Sequence, residues 1–192
     1  MAEAAKLERT RGGDEAELRE MIRTRSFRLG KFILTSGRES DLFFNLKPTM
    51  MDPRGARLCA EAFLARVPAG ADYVAGLEMG AVPVISALAA ISDVAGTPVK
   101  TVFVRKAAKE HGTREVIEGL AVGESLAGKR VLAVDDVATT GGSTLKAVEA
   151  LRAAGAIVTD ALVIVDRQEG GTEGLAAHGV KLASVFVGDD FR

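Results

Sequence analysis

Two adjacent acids, Asp135 and Asp136, stand at the end of the apolar run Val131-Leu132-Ala133-Val134. Val137, Ala138, Thr139, Thr140, Gly141, Gly142, Ser143 and Thr144 follow them. The apolar run reads as a buried parallel strand and the residues from about Ser143 as a helix. Between them, glycines let backbone N–H groups approach an anion, and the helix dipole favours negative charge at that point. The hydroxyls of Thr139, Thr140, Ser143 and Thr144 add donors. Such a turn suits a phosphate monoester. Carboxylates would repel a phosphate they touched, so the acids should face something hydroxylated or cationic. Vicinal ribose hydroxyls fit, each donating to a carboxylate oxygen, with a divalent metal nearby. A capped helix after a strand would account for a lone Asp-Asp, but here acid pair, hydroxyl run, double glycine and helix start coincide. No Gly-Lys-Ser/Thr follows, so this is not a Walker A loop, and the dinucleotide pattern Gly-x-Gly-x-x-Gly is missing.

A second cluster is cationic. Arg105, Lys106, Lys109 and His111 fall within residues 105–111, directly after the β-branched pattern of 99–104. Gly112 and Gly119 bracket a polar stretch of weak hydrophobic period, which reads as a mobile loop. Charge runs are usually solvated faces. This one follows a strand, where α/β sheets hold ligands, and its four donors can cover a pyrophosphate.

Both clusters require a frame that alternates strand and helix. The pattern predicts helices from a cap at Asp14 to about Arg25, from Pro53 to about Val67, over Ala81–Val94, and from about Ser143 to a stop at Gly155. A short helix is expected over Gly174–His178. Strands are expected at Phe32–Leu34, Leu42–Leu46, Tyr73–Ala75, Val99–Val104, Arg130–Asp135, Ile157–Val165 and Val180–Val187, with a turn at Ser36-Gly37-Arg38. The fold class is therefore α/β: a mostly parallel central sheet flanked by helices, with a small N-terminal hood. Residues 1–13, ending in Gly12-Gly13, read as a flexible arm. Residues 14–192 read as one domain, with the hood mainly in 14–50 and the core in 51–192.

Composition narrows the choice further. At 192 residues and 47% hydrophobic, the chain can bury a core, and a formal charge of −1 gives no bulk attraction to nucleic acid. Cys59, the single cysteine, has no partner for a disulfide and reads as a small buried residue, which suits a reducing cytoplasm. His178 reads as structural. The first 20 residues are too charged for a secretory signal, and the apolar runs are too short to span a membrane.

The stretch 131–144 resembles the signature of type I phosphoribosyltransferases, which use phosphoribosyl pyrophosphate (PRPP). The Arg-Lys-x-x-Lys-x-His-Gly pattern of 105–112 is similar to the catalytic loop of the orotate phosphoribosyltransferases. Phe32 to Arg38 and Phe43-Phe44-Asn45 resemble that family's hood, and Arg167 is similarly placed to its orotate-binding arginine. The resemblance implies transfer of ribose 5-phosphate from PRPP to orotate, giving orotidine 5-monophosphate and pyrophosphate, in de novo pyrimidine (UMP) biosynthesis. It implies PRPP contacts from Arg105, Lys106, Lys109, His111, Asp135, Asp136, Val137, Ala138, Thr139, Thr140, Gly141, Gly142 and Ser143. It implies orotate contacts from Phe43, Phe44, Thr139 and Arg167, and catalytic roles for Lys109, Asp135 and Asp136. Mg²⁺ would be held through PRPP, with Asp135 and Asp136 as candidate ligands. The family's loop closes over the PRPP of a neighbouring subunit, which implies a homodimer with a shared site. Thr35 stands where some members carry lysine, and the Gly76–Ala81 loop lacks the Tyr-Lys pair that some carry in their pyrophosphate loop. The alternatives are a phosphoribosyltransferase for a purine or uracil, and a PRPP-sensing regulatory module.

Overall fold

The computed structural model describes residues 2–33, 39–106 and 116–192, with side chains over 14–32, 41–106 and 116–192. In chain order the elements are α1 (Ala2–Arg25), β1 (Phe27–Ile33), β2 (Glu39–Phe44), α2 (Lys47–Met50), α3 (Pro53–Leu64), β3 (Tyr73–Leu77), α4 (Val82–Val94) and β4 (Lys100–Val104). They continue with β5 (Ile117–Glu118), β6 (Val131–Ala138), α5 (Gly142–Ala153), β7 (Asp160–Asp166), α6 (Gly171–Ala176), β8 (Lys181–Val187) and a 3-10 turn at Gly188–Phe191.

Among the described residues, the main sheet has the order β5-β4-β3-β6-β7-β8. Its β4, β3, β6, β7 and β8 run parallel, and β5 joins β4 antiparallel through Phe103↔Glu118 and Val104↔Ile117. The expected mostly parallel sheet is therefore present. Successive strand residues face opposite sides of a sheet, and the two hydrophobic cores follow that period. Val74, Leu132, Val134, Leu162 and Ile164 join one core with residues of α1, α3 and α4. Tyr73, Ala75, Val131, Ala133 and Ala161 join the other with Ala147, Val148 and Leu151 of α5.

Local chemistry sets several boundaries. Pro53 starts α3, and the Asp52 carboxylate accepts from Arg54 N at 3.0 Å and Gly55 N at 3.1 Å. Gly155, at φ +85°, ends the run after α5 as expected, and Ala156 N donates back to Leu151 O at 3.1 Å. The N-terminus differs from the sequence expectation. Helical backbone runs from Ala2 through Gly12-Gly13, so the helix does not start from a cap at Asp14. Residues 2–11 are rich in Ala, Glu, Lys, Leu and Arg, and two glycines cost a helix only about 1 kcal/mol each. The side chains of Glu15 and Glu17 then bind Arg66 and Arg54, tying α1 to the end and the start of α3.

The hood is an antiparallel pair, β1 with β2, registered Phe27↔Phe44 to Ile33↔Glu39. Both strands begin several residues earlier than expected, at Phe27 and Glu39, and β2 ends at Phe44, beyond which Asn45 N donates to Ser26 O at 2.9 Å. The expected turn at Ser36-Gly37-Arg38, Leu34 and Thr35 lie outside the described residues. Among the described residues, no helix is long and apolar enough to cross a membrane.

Candidate active site

The acid pair sits where β6 outruns its neighbour. Pairing of β3 with β6 stops at Gly76↔Val134, whereas pairing of β6 with β7 continues to Ala138↔Asp166. The strand therefore extends through the acids to Ala138 rather than ending at Asp135, and its β3 flank is open from Asp135 onward. By strand alternation Asp135 falls on the α5 side of the sheet and Asp136 on the α4 side. Asp135 is 4% exposed. Its Oδ1 accepts from Asp136 N at 3.0 Å, and Thr144 Oγ1 lies 3.5 Å from its Oδ2. Burial, and then the charge of Asp136, pushes the Asp135 carboxyl up to about 8. At neutral pH the Asp135 carboxyl therefore keeps its proton and can donate to a hydroxyl as well as accept from one.

The 77–81 turn closes over the open flank. A Cβ on Gly80 would stand 2.5 Å from Asp135 Oδ1 and 2.7 Å from Asp136 Oδ1, so only a glycine lets this turn touch both carboxylates. Gly76 makes a similar close approach, since its Cβ would meet Val134 O at 2.3 Å. The Glu78-Met79 peptide is cis. Glu78 N donates to Val104 O, and Glu78 Oε1 accepts from Lys106 N, both at 2.8 Å. Gly80→Ala is expected to lower kcat/KM about 100-fold, because displacing reactive groups by 1 Å can cost that much. Wild-type kinetics for this variant would show that the acids work without the close contact.

Beyond Ala138, the turn is held from below by α6. A Cβ on Gly171 would lie 2.9 Å from Thr139 O, and one on Gly174 would lie 3.0 Å from Thr140 O. Gly141 takes φ +77° as the residue before α5, and Leu145 N donates to its carbonyl at 2.8 Å. Thr140, Gly142 and Ser143 are exposed, Thr139 and Val137 are half-buried, and Ala138 is buried. The outer part of the turn thus presents hydroxyls and helix-start N–H groups to solvent. Gly80 falls in the Gly76–Ala81 loop noted in the sequence, but its contact with the acids, like the bracing by Gly171 and Gly174, carries no sequence pattern because the partners lie 32 or more positions away.

At the end of β4, Arg105 N donates to Val116 O at 2.8 Å, and Arg105 Nη1 lies 3.6 Å from Glu118 Oε1. Lys106 is exposed. Lys109 and His111 lie outside the described residues.

Arg167 follows β7, and its backbone N donates to Ala138 O at 2.9 Å, which places it beside the turn. Its side chain is 4% exposed, and Nη2 donates to Leu42 O of the hood and to Glu169 Oε1, each at 2.7 Å. The two hood phenylalanines do not share a pocket. Phe44 is buried with Phe27 and Phe191, whereas Phe43 is 38% exposed and packs on Phe32. Alternation along β2 separates them. Cys59 is 1% exposed and burial pushes its thiol up to about 12, so it offers no nucleophilic thiolate. His178 is exposed, with Nδ1 3.0 Å from Gly174 O.

Comparison with known proteins agrees with this geometry. A profile of the phosphoribosyl transferase domain matches residues 52–178. An orotate phosphoribosyltransferase from Bradyrhizobium sp. (strain ORS 278) is 52% identical over 183 residues, covering 95% of this chain and 99% of its own length. The crystal structure of Mycobacterium tuberculosis orotate phosphoribosyltransferase with Fe(III) dicitrate superposes with a TM-score of 0.76 at 36% identity, covering 93% of this chain and 98% of that one. The same enzyme in complex with PRPP gives 0.73 at 30% identity, over 94% and 92%. The acid pair on an open strand flank, the glycine-braced turn and the extent of these matches lead to one family: the chain belongs to the orotate phosphoribosyltransferases.

Proposed function

We propose that Asp135 and Asp136 hold the ribose 2- and 3-hydroxyls of PRPP while the turn from Val137 to Ser143 cradles its 5-phosphate. The observation that carries this reading is the open flank of β6, where both carboxylates meet the 77–81 turn one strand-end away from the helix start. Arg105, Lys106, Lys109 and His111 neutralise the pyrophosphate, and Lys109 assists its departure. Orotate lies between the hood and the turn, with its carboxylate on Arg167, its ring beside Phe43 and Thr139 at its edge. Phe44 supports that wall from the core.

In the reaction, the base nitrogen forms a bond to the anomeric carbon and gives up its proton to pyrophosphate or solvent, as the bond to pyrophosphate oxygen breaks, through an oxocarbenium-like transition state. The products are orotidine 5-monophosphate and pyrophosphate. The chain's part is to orient the ribose, neutralise the leaving group and hold the base in line. Water must be kept out, because it would otherwise hydrolyse PRPP. Among the described residues, no group of three or more His, Cys, Asp or Glu forms a metal cage. Two carboxylates beside a polyphosphate suit Mg²⁺ that arrives largely on substrate oxygens. Bound there, the metal would add positive charge to the pyrophosphate. We further assign the protein to the cytoplasm, as a homodimer whose basic loop completes the partner's site.

Orotate consumption, followed by ultraviolet absorbance with and without PRPP and Mg²⁺, tests the proposal. Loss of orotate that requires both, and that uracil or adenine does not reproduce, is the expected result. PRPP binding without orotate turnover would move the claim to another base or to a sensing role.

A further inference from the structure

The segment after β7 contains a feature that the proposed roles do not use. Gln168 adopts φ +59°, a left-handed conformation rare for any residue but glycine, and its N–H donates to Asp166 Oδ1 at 2.9 Å. This reversal brings Glu169 back onto Arg167 only two residues earlier in the chain, at 2.7 Å. The guanidinium side chain is 4% exposed, and the Glu169 side chain is 19% exposed. A guanidinium that deep needs an anionic partner to remain charged without penalty. Asp41, an acid whose charge also couples to Arg167, is itself engaged by Arg192 at 2.8 Å.

We infer that Glu169 is a specificity-determining residue, an internal carboxylate that holds Arg167 in the free protein and yields it to the carboxylate of the incoming base. The inference rests on the assignment of Arg167 to orotate made above. An incoming carboxylate brings the same charge and the same paired oxygens, so the exchange leaves the guanidinium neutralised and releases Glu169 toward solvent. A neutral base offers no replacement charge, and Glu169 stays in place against it. The product retains the carboxylate, so the return of Glu169 also helps to expel it. Glu169 thus weakens orotate binding in the free enzyme and speeds its release after transfer.

The test is steady-state kinetics of Glu169→Gln at saturating PRPP, with orotamide as a neutral inhibitor of the same shape. The glutamine still accepts a hydrogen bond but no longer competes as an anion. The KM for orotate should fall about five- to tenfold, the scale of one ordinary hydrogen bond regained. The inhibition constant of orotamide should change by less than about twofold on the same scale, and kcat should not rise. An unchanged or higher KM for orotate overturns the inference. So does equal tightening of orotate and orotamide, which would mean that the variant merely reshapes the pocket. Arg167→Lys, checked for folding by thermal melting, separates the two layers of the argument. If it raises the KM for orotate while Glu169→Gln does not lower it, the role of Glu169 fails and that of Arg167 stands. If it leaves the KM unchanged, the assignment of Arg167 fails and the inference falls with it.

Discussion

Asp135→Asn is expected to lower kcat/KM about 100- to 1,000-fold, the usual cost of removing one preorganised polar contact to a transition state, and yet to stabilise the fold at alkaline pH. The opposite signs share one cause. Asp135 is 4% exposed and shares its site with Asp136, so its carboxyl is pushed up to about 8 from an unfolded value near 3.8. Between those two values the folded chain binds a proton that the unfolded chain has lost. Stability from this group is therefore complete below about 3.8 and is lost as pH rises through about 8. Asparagine has no proton to lose, so the variant escapes the penalty. Thermal unfolding at pH 6 and pH 9, in buffer with a metal chelator, checks this. Wild type should lose more stability than the variant over that interval, with each kcal/mol appearing as roughly 2–4 °C for a chain of this size. Parallel losses would show that Asp135 is ionised across the whole range. Unimpaired turnover in the variant would remove it from the ribose site.

Local pattern made the frame of this protein legible and left its contacts hidden. The alternation of apolar runs with helical periods made β3, β4, β6, β7 and β8 and the parallel sheet readable, most clearly for β3, β6 and β7, because a strand buried on both faces is written in consecutive apolar residues. The far end of β6 was misplaced because Asp135 and Asp136 interrupt the apolar run. What keeps the chain extended there is pairing with Val165 and Asp166, some 28 residues on. The two residues of β5 carry too little pattern to be seen. The hood strands were displaced for a related reason: β1 holds exposed Arg28, Gly30 and Lys31, so its polar–apolar contrast is weak. In the site, the acid pair and the turn could be read because their residue types and spacing are themselves the chemistry. Gly80 could not, since its importance lies in two carboxylates 55 and 56 positions away. The separation of Phe43 from Phe44 was within reach, because the two-residue period of a strand already sends neighbours to opposite faces. The return of Glu169 to Arg167 depends on one backbone angle at Gln168, which no pattern of residue types specifies.

Lys109→Ala is expected to lower kcat about 100- to 1,000-fold, the range found when one donor to a developing anion is removed, while thermal stability stays within about 0.5 kcal/mol of wild type as for surface changes generally. Pyrophosphate gains charge only as its bond to the anomeric carbon breaks. A cation that meets that charge therefore acts on kcat more than on PRPP binding. Arg105 cannot substitute readily, because it is engaged by Glu118 and by the backbone of Val116 at the foot of the segment. Equal loss of stability and turnover would make Lys109 a structural residue. The same variant also tests the shared site. If the basic loop serves the partner's site, then Lys109→Ala and Asp135→Asn chains, each nearly inactive alone, form mixed dimers with one site composed entirely of intact parts. Random re-pairing of equal amounts should then restore about a quarter of wild-type activity, since half the dimers are mixed and each has one working site of two. If each subunit instead uses its own loop, every site in the mixture carries one defect and activity stays at the level of the separate variants. The experiment thus reads the catalytic role of Lys109 and the subunit it serves in one mixing curve.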